Sequence, residues 1–149
     1  MNTRLSRLTK KERSEVEVLL KMLGDPAGKD KDLLWAKFGT YLPKTDSYAP
    51  LPEHDTILKF QHNIYETVWK EAAELRRTGK LLALAKDIQC PVTAIHGDYD
   101  AHPAEGVQKP LAGLLKNFRF TLIKNCGHKP WIEKMAQEEF YAVLKKEIS

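Results

Sequence analysis

The chain has 149 residues with 24 basic and 20 acidic side chains, a net charge of +4, and a length that suits one domain or a small core with an appendage. Hydrophobic residues make up 42% and charged residues 30%, which provides for both a core and a solvated surface. Apart from a mildly basic stretch from Arg4 to Arg13, bases and acids are interleaved, without the concentrated basic face that nucleic-acid binding needs. No apolar run approaches the roughly 20 residues of a membrane span. Residues 1–8 contain no apolar signal-peptide core, which points to a cytoplasmic protein. Cys90 and Cys126 both flank strand-like runs and lack metal-ligand spacing, so two reduced thiols are expected.

The first predicted helix runs from about Thr9 to Leu23. Thr9 with Glu12 has the form of a capping box, and Val16, Leu19, Leu20 and Leu23 repeat at helical spacing. Gly24, Asp25 and Pro26 stop it. A second helix starts near Asp30, with Leu34, Trp35, Phe38 and Tyr41 on one face, and Pro43 ends it. Residues 43–52 contain three prolines and read as a loop. A long helix follows from about Glu53 to Thr78, where Ile57, Ile64, Val68, Ala72 and Leu75 recur at three- and four-residue steps. A short helix covers Leu81 to Ala85.

The period then changes. Pro91 to Ile95 is short, rich in β-branched residues and bounded by Pro and Gly, which predicts a strand. Val107, Leu111, Leu114 and Leu115 mark a helix between Pro103 and Asn117, and Phe118 to Ile123 is a second strand. Phe140, Tyr141, Leu144 and Ile148 form the stripe of a last helix. Strand, helix, strand, helix predicts an α/β arrangement in which two parallel strands are joined by a right-handed crossover.

In parallel sheets, functional groups gather beyond the carboxyl ends of the strands. Asp98 and Asp100 follow the first strand and His128 follows the second. Neighbouring parallel strands lie about 5 Å apart, within reach of an Asp–His contact. A carboxylate there holds the tautomer of an imidazole and stabilises its protonated form. Gly97 and Gly127 are expected to permit the tight turns that present these side chains.

These motifs carry a family resemblance. The segment from Ile88 to Asp100 resembles the penultimate strand and acid loop of the α/β-hydrolases. Phe120 to Ile123 with Cys126, Gly127 and His128 is similar to their last strand and histidine loop. The resemblance implies that residues 1–87 form a helical cap-like segment and 88–149 the C-terminal β-α-β-α part of that fold. It implies Asp100 as catalytic acid and His128 as base, with Asp98 as a loop-bonding residue, acting on a small ester, amide or similar molecule. It implies no cofactor. The family's serine sits on a Gly-x-Ser-x-Gly elbow. Ser6, Ser14, Ser47 and Ser149 all lack that setting, and the strands that carry the elbow have no counterpart. A base without a nucleophile cannot run acyl transfer. The expected function is therefore a hydrolase-type chain that is inactive alone or needs a complementing chain. The alternative is a non-catalytic homodimeric interaction or small-ligand-binding protein.

Other readings of the same residues are weaker. His96, Asp98, Asp100 and His102 alternate and would face one side of an extended segment as a metal site. A turn at Gly97 and Asp98 breaks that alternation, so no metal is expected. Cys126 reads as a buried structural thiol rather than a nucleophile. Trp35, Trp69 and Trp131 read as core, His54 and His62 as surface residues, and Glu133 and Lys134 as a solvated helix face. Two strands alone make a marginal sheet with an exposed edge. Pairing of two copies through that edge, as a homodimer, is the expected solution, with a cap helix over the edge or a complementing chain as the others.

Overall fold

The computed structural model describes residues 1–52 and 60–149. Its sheet has two parallel strands, β1 (Val92–Gly97) and β2 (Phe118–Ile123), in register from Val92 opposite Phe118 to Gly97 opposite Ile123. Helices α1 (Asn2–Ser6), α2 (Lys10–Leu23), α3 (Lys31–Gly39), α4 (Leu42–Asp46), α5 (His62–Arg77) and α6 (Lys80–Ala83) precede it. Helix α7 (Glu105–Ala112) joins the strands and α8 (Gln137–Ile148) closes the chain. The architecture is mixed α/β. Among the described residues no helix is long and apolar enough to cross a membrane.

Strand alternation assigns the two faces of the sheet. Ile95 and Ile123 point toward α8 and share a small core with Cys126, Ala136 and Phe140. The Thr93 hydroxyl donates to Glu147 of α8 at 2.6 Å, and Arg119 pairs with the same carboxylate. His96 falls on the opposite face, where its ring lies 6.2 Å from that of Phe120. Beyond β2, no strand pairs with β1 among the described residues.

A second core lies in the N-terminal helices. Thr9 and Glu12 form the reciprocal capping box that starts α2. The helix then buries Val16 and Leu19 against Phe38 of α3, with Leu5, Leu8, Leu34 and Trp35 around them. Trp35 continues outward to Tyr65 of α5, with ring centroids 4.6 Å apart. The backbone N–H of His62 is fastened to the Asp32 carboxylate at 2.8 Å.

Several expectations change. Pro43 starts a helix instead of ending one, because its missing N–H costs nothing in a first turn. Residues 42–46 are therefore helical, where a loop was expected from residue 43. Of the long helix expected from Glu53 to Thr78, residues 53–59, with Ile57 and His54, lie outside the described residues, and α5 begins at His62. Ile64, Val68 and Trp69 on α5 are about half exposed, so the apolar stripe meets no partner among the described residues over much of its length. Trp131 is also about half exposed, whereas Trp35 is core.

The two cores are joined by the segment that leaves α4. The backbone N–H of His128 donates to the Asp46 carbonyl at 2.7 Å, Leu51 to Ile132 at 2.7 Å, and Lys134 to Ala49 at 3.0 Å. Glu133 is fully buried beneath this crossing. Its carboxylate accepts from the backbone N–H groups of Tyr48 (2.8 Å), Ala49 (2.7 Å) and Gly127 (2.9 Å). Hydrogen bonds to a charged acceptor are worth about 1.5–3 kcal/mol each, which offsets the cost of burying the charge. The expected solvated role for Glu133 is thus wrong. Its chain turns inward after a 3₁₀ turn, before α8 begins.

Helix α1 secures the other side of the same segment. Arg4 grips Asp46 through two 2.6 Å bonds. Arg7 donates to the carbonyls of Thr45 and Tyr99 and lies 3.6 Å from the centre of the Tyr99 ring.

Candidate active site

Both polar loops emerge from the carboxyl ends of the strands and are stitched to each other. Asp98 donates its N–H to the Ile123 carbonyl and Tyr99 to that of Cys126, each at 2.9 Å. Gly97 and Gly127 serve close approach rather than a left-handed turn. A Cβ on Gly97 would strike the carbonyls of Cys126 and Gly127, and one on Gly127 would strike Asp46, Ser47 and Glu133. The left-handed residue of the histidine loop is Asn125, with φ of 52°.

Asp100 and His128 meet. The Asp100 side chain is 6% exposed, and its Oδ2 accepts from His128 Nδ1 at 2.7 Å. A carboxylate only accepts, so Nδ1 carries a proton, which in the neutral ring leaves the lone pair on Nε2. Among the described residues nothing hydrogen-bonds that Nε2, and the ring is half exposed. This is the tautomer a general base requires. Asp98 is turned away, accepting from the Cys126 N–H at 3.3 Å and facing Lys124 at 3.7 Å, as the loop-bonding reading expects.

The same carboxylate has further company. His102 donates to Asp100 Oδ1 twice, from its backbone N–H at 2.8 Å and from Nδ1 at 2.9 Å. His96 Nε2 lies 3.7 Å from Asp100 Oδ2, while its Nδ1 donates to the Gly97 carbonyl at 2.8 Å. The turn does break the alternation considered from the sequence, removing Asp98. It also brings His102 and His128 to within 5.2 Å, ring to ring. His102 as a site residue is missed by the family pattern. The Asp-x-His spacing was its signal, since an Asp side chain commonly bonds the N–H two residues on.

Burial pushes the Asp100 carboxyl up. The hydrogen bonds from the His102 backbone, the His128 ring and the His102 ring outweigh that and hold it below the ordinary range. Cys126 is fully buried. Desolvation, reinforced by the nearby Glu133 charge, pushes its thiol up to about 12. It is an inert structural thiol, and neither cysteine forms a disulfide.

Among the described residues no hydroxyl or thiol hydrogen-bonds to His128. Ser47 runs past the histidine loop, since a Cβ on Gly127 would meet its Cα, and no hydrogen bond joins its hydroxyl to the imidazole.

The Asp100 shift fixes a pH dependence. The folded value lies below the unfolded one, so the stabilisation is complete above the ordinary value of about 3.9 and is lost as pH falls from there through the lower folded value. Denaturant titrations between pH 6 and about pH 2 are expected to show a shallower acid loss of stability for Asp100→Asn than for the native chain. Identical slopes would show that Asp100 is not held as described.

A scan against protein-family models and searches of curated proteins and of solved structures find no match to this chain.

Proposed function

We propose that this chain is the acid-and-base-bearing C-terminal part of an α/β-hydrolase-type enzyme, active on small esters or amides only with a nucleophile supplied from outside these residues. The observation that carries the reading is the 2.7 Å Asp100–His128 contact at the carboxyl ends of two parallel strands. It orients an imidazole whose side chain is half exposed and whose Nε2 is hydrogen-bonded by none of the described residues. In this reading Nε2 takes the proton of an incoming hydroxyl and later returns it to the leaving group, while Asp100 stabilises the imidazolium. The buried Glu133 and the Asp46 carbonyl support the loop that presents the ring.

A second reading is favoured by a different observation. The unpaired edge of β1 and the exposed Ile64, Val68 and Trp69 of α5 are surfaces suited to association rather than catalysis. In this reading the chain is a homodimeric interaction or ligand-binding protein whose copies pair through β1.

Two experiments separate these. If the DNA upstream of this reading frame encodes a Gly-x-Ser-x-Gly elbow, co-expression of both polypeptides should yield p-nitrophenyl esterase activity that neither has alone. Asp100→Asn or His128→Ala should then lower kcat by about 10³–10⁴-fold. Activity unaffected by His128→Ala would sink the base assignment. For the isolated chain, analytical ultracentrifugation at micromolar concentration should show a dimer. A monomer at all concentrations would end the homodimer reading.

A further inference from the structure

We propose that Asp100, His102 and His128 form a binding site for one divalent transition-metal ion of the zinc class. A ligating atom from each lies within 4.8 Å of the other two. Two imidazoles and one carboxylate are a donor set that zinc and its neighbours favour, whereas magnesium and calcium want more oxygens and keep water. The three residues differ in exposure in the way a site needs. Asp100 is buried and fixed by the His102 N–H, while the His102 and His128 side chains are 52% and 50% exposed. They are free to open from their present 2.9 and 2.7 Å contacts with Asp100. Metal bonds of about 2.0–2.1 Å at tetrahedral angles need ligand separations of about 3.3 Å.

His96 packs behind the same carboxylate. Its Nδ1 donates to the Gly97 carbonyl, and its Nε2 lies 3.7 Å from Asp100 Oδ2. A ring N–H anchored on a backbone carbonyl is also how metal-binding histidines are commonly oriented. His96 is thereby prepared to support the site from behind Asp100.

Coordination through Nδ1 of His102 or His128 moves that ring's proton to Nε2, with no oxidation or reduction. The ion then occupies the contact by which Asp100 holds His128. Metal occupancy and the Asp100–His128 proton relay exclude each other, and the metal site does not depend on the hydrolase reading.

Cobalt(II) titrated into the full chain should give visible d–d absorption saturating at one ion per chain. Zinc(II) should displace it, and magnesium(II) should not. His102→Ala and His128→Ala should each weaken binding by about tenfold or more, and Asp100→Asn should remove the spectrum. Asp98→Asn and His62→Ala should leave it unchanged. Circular dichroism of the two exposed histidine variants establishes that they remain folded. An absent cobalt spectrum at sub-millimolar metal, or undiminished binding by the His102→Ala/His128→Ala double variant, would overturn the proposal.

Discussion

The structure depends on one buried carboxylate. Glu133 gathers the backbone N–H groups of Tyr48, Ala49 and Gly127, which come from opposite halves of the chain. Without it, three donors would lie without acceptors under a crossing of two backbones, each costing about 1–3 kcal/mol. The same crossing explains Gly127, where any side chain would occupy the space of Asp46, Ser47 and Glu133. The two small cores, one around Val16 and Phe38 and one around Ile123 and Cys126, share no residue among those described, and are connected through this joint, through Arg7 on Tyr99 and through the Tyr48–Tyr99 ring contact.

The joint sets the position of His128, whose own N–H is spent on the Asp46 carbonyl. From the other side, Arg7 holds the carbonyl of Tyr99, next to Asp100. Asp100 therefore sits between two loops fixed by separate contacts. Around its carboxylate lie His96, His102 and His128. That crowding supports two chemistries on one group. With His128 alone engaged, the pair has the geometry of the proposed acid and base. With His102 and His128 both turned onto a cation, it has the donor set of the proposed metal site.

What the sequence made legible was local. The Thr9–Glu12 capping box and the strand from Phe118 to Ile123 were readable because their causes lie within a few residues. That an aspartate after the first strand reaches His128 was readable because strand ends in a parallel pair lie side by side, while the choice of Asp100 over Asp98 rested on the family resemblance. Glu133 was not, since its three donors are 6, 84 and 85 residues away and its neighbours look like a helix face. Helix α4 was hidden by Pro43, which marks a helix start as readily as an end. Trp69 satisfied a helical apolar stripe, but periodicity reports which residues share a face, not whether anything covers it.

The central claim is that the Glu133 joint seats His128 on Asp100 with its proton on Nδ1. Nitrogen-15 NMR of the histidine rings near neutral pH tests it directly. The native chain should show His128 in the Nδ1–H tautomer with a hydrogen-bonded ring proton. Glu133→Ala should lose that signal and about 3 kcal/mol of stability or more. A native His128 predominantly in the Nε2–H form, or a Glu133→Ala variant with the signal and stability intact, would contradict the account.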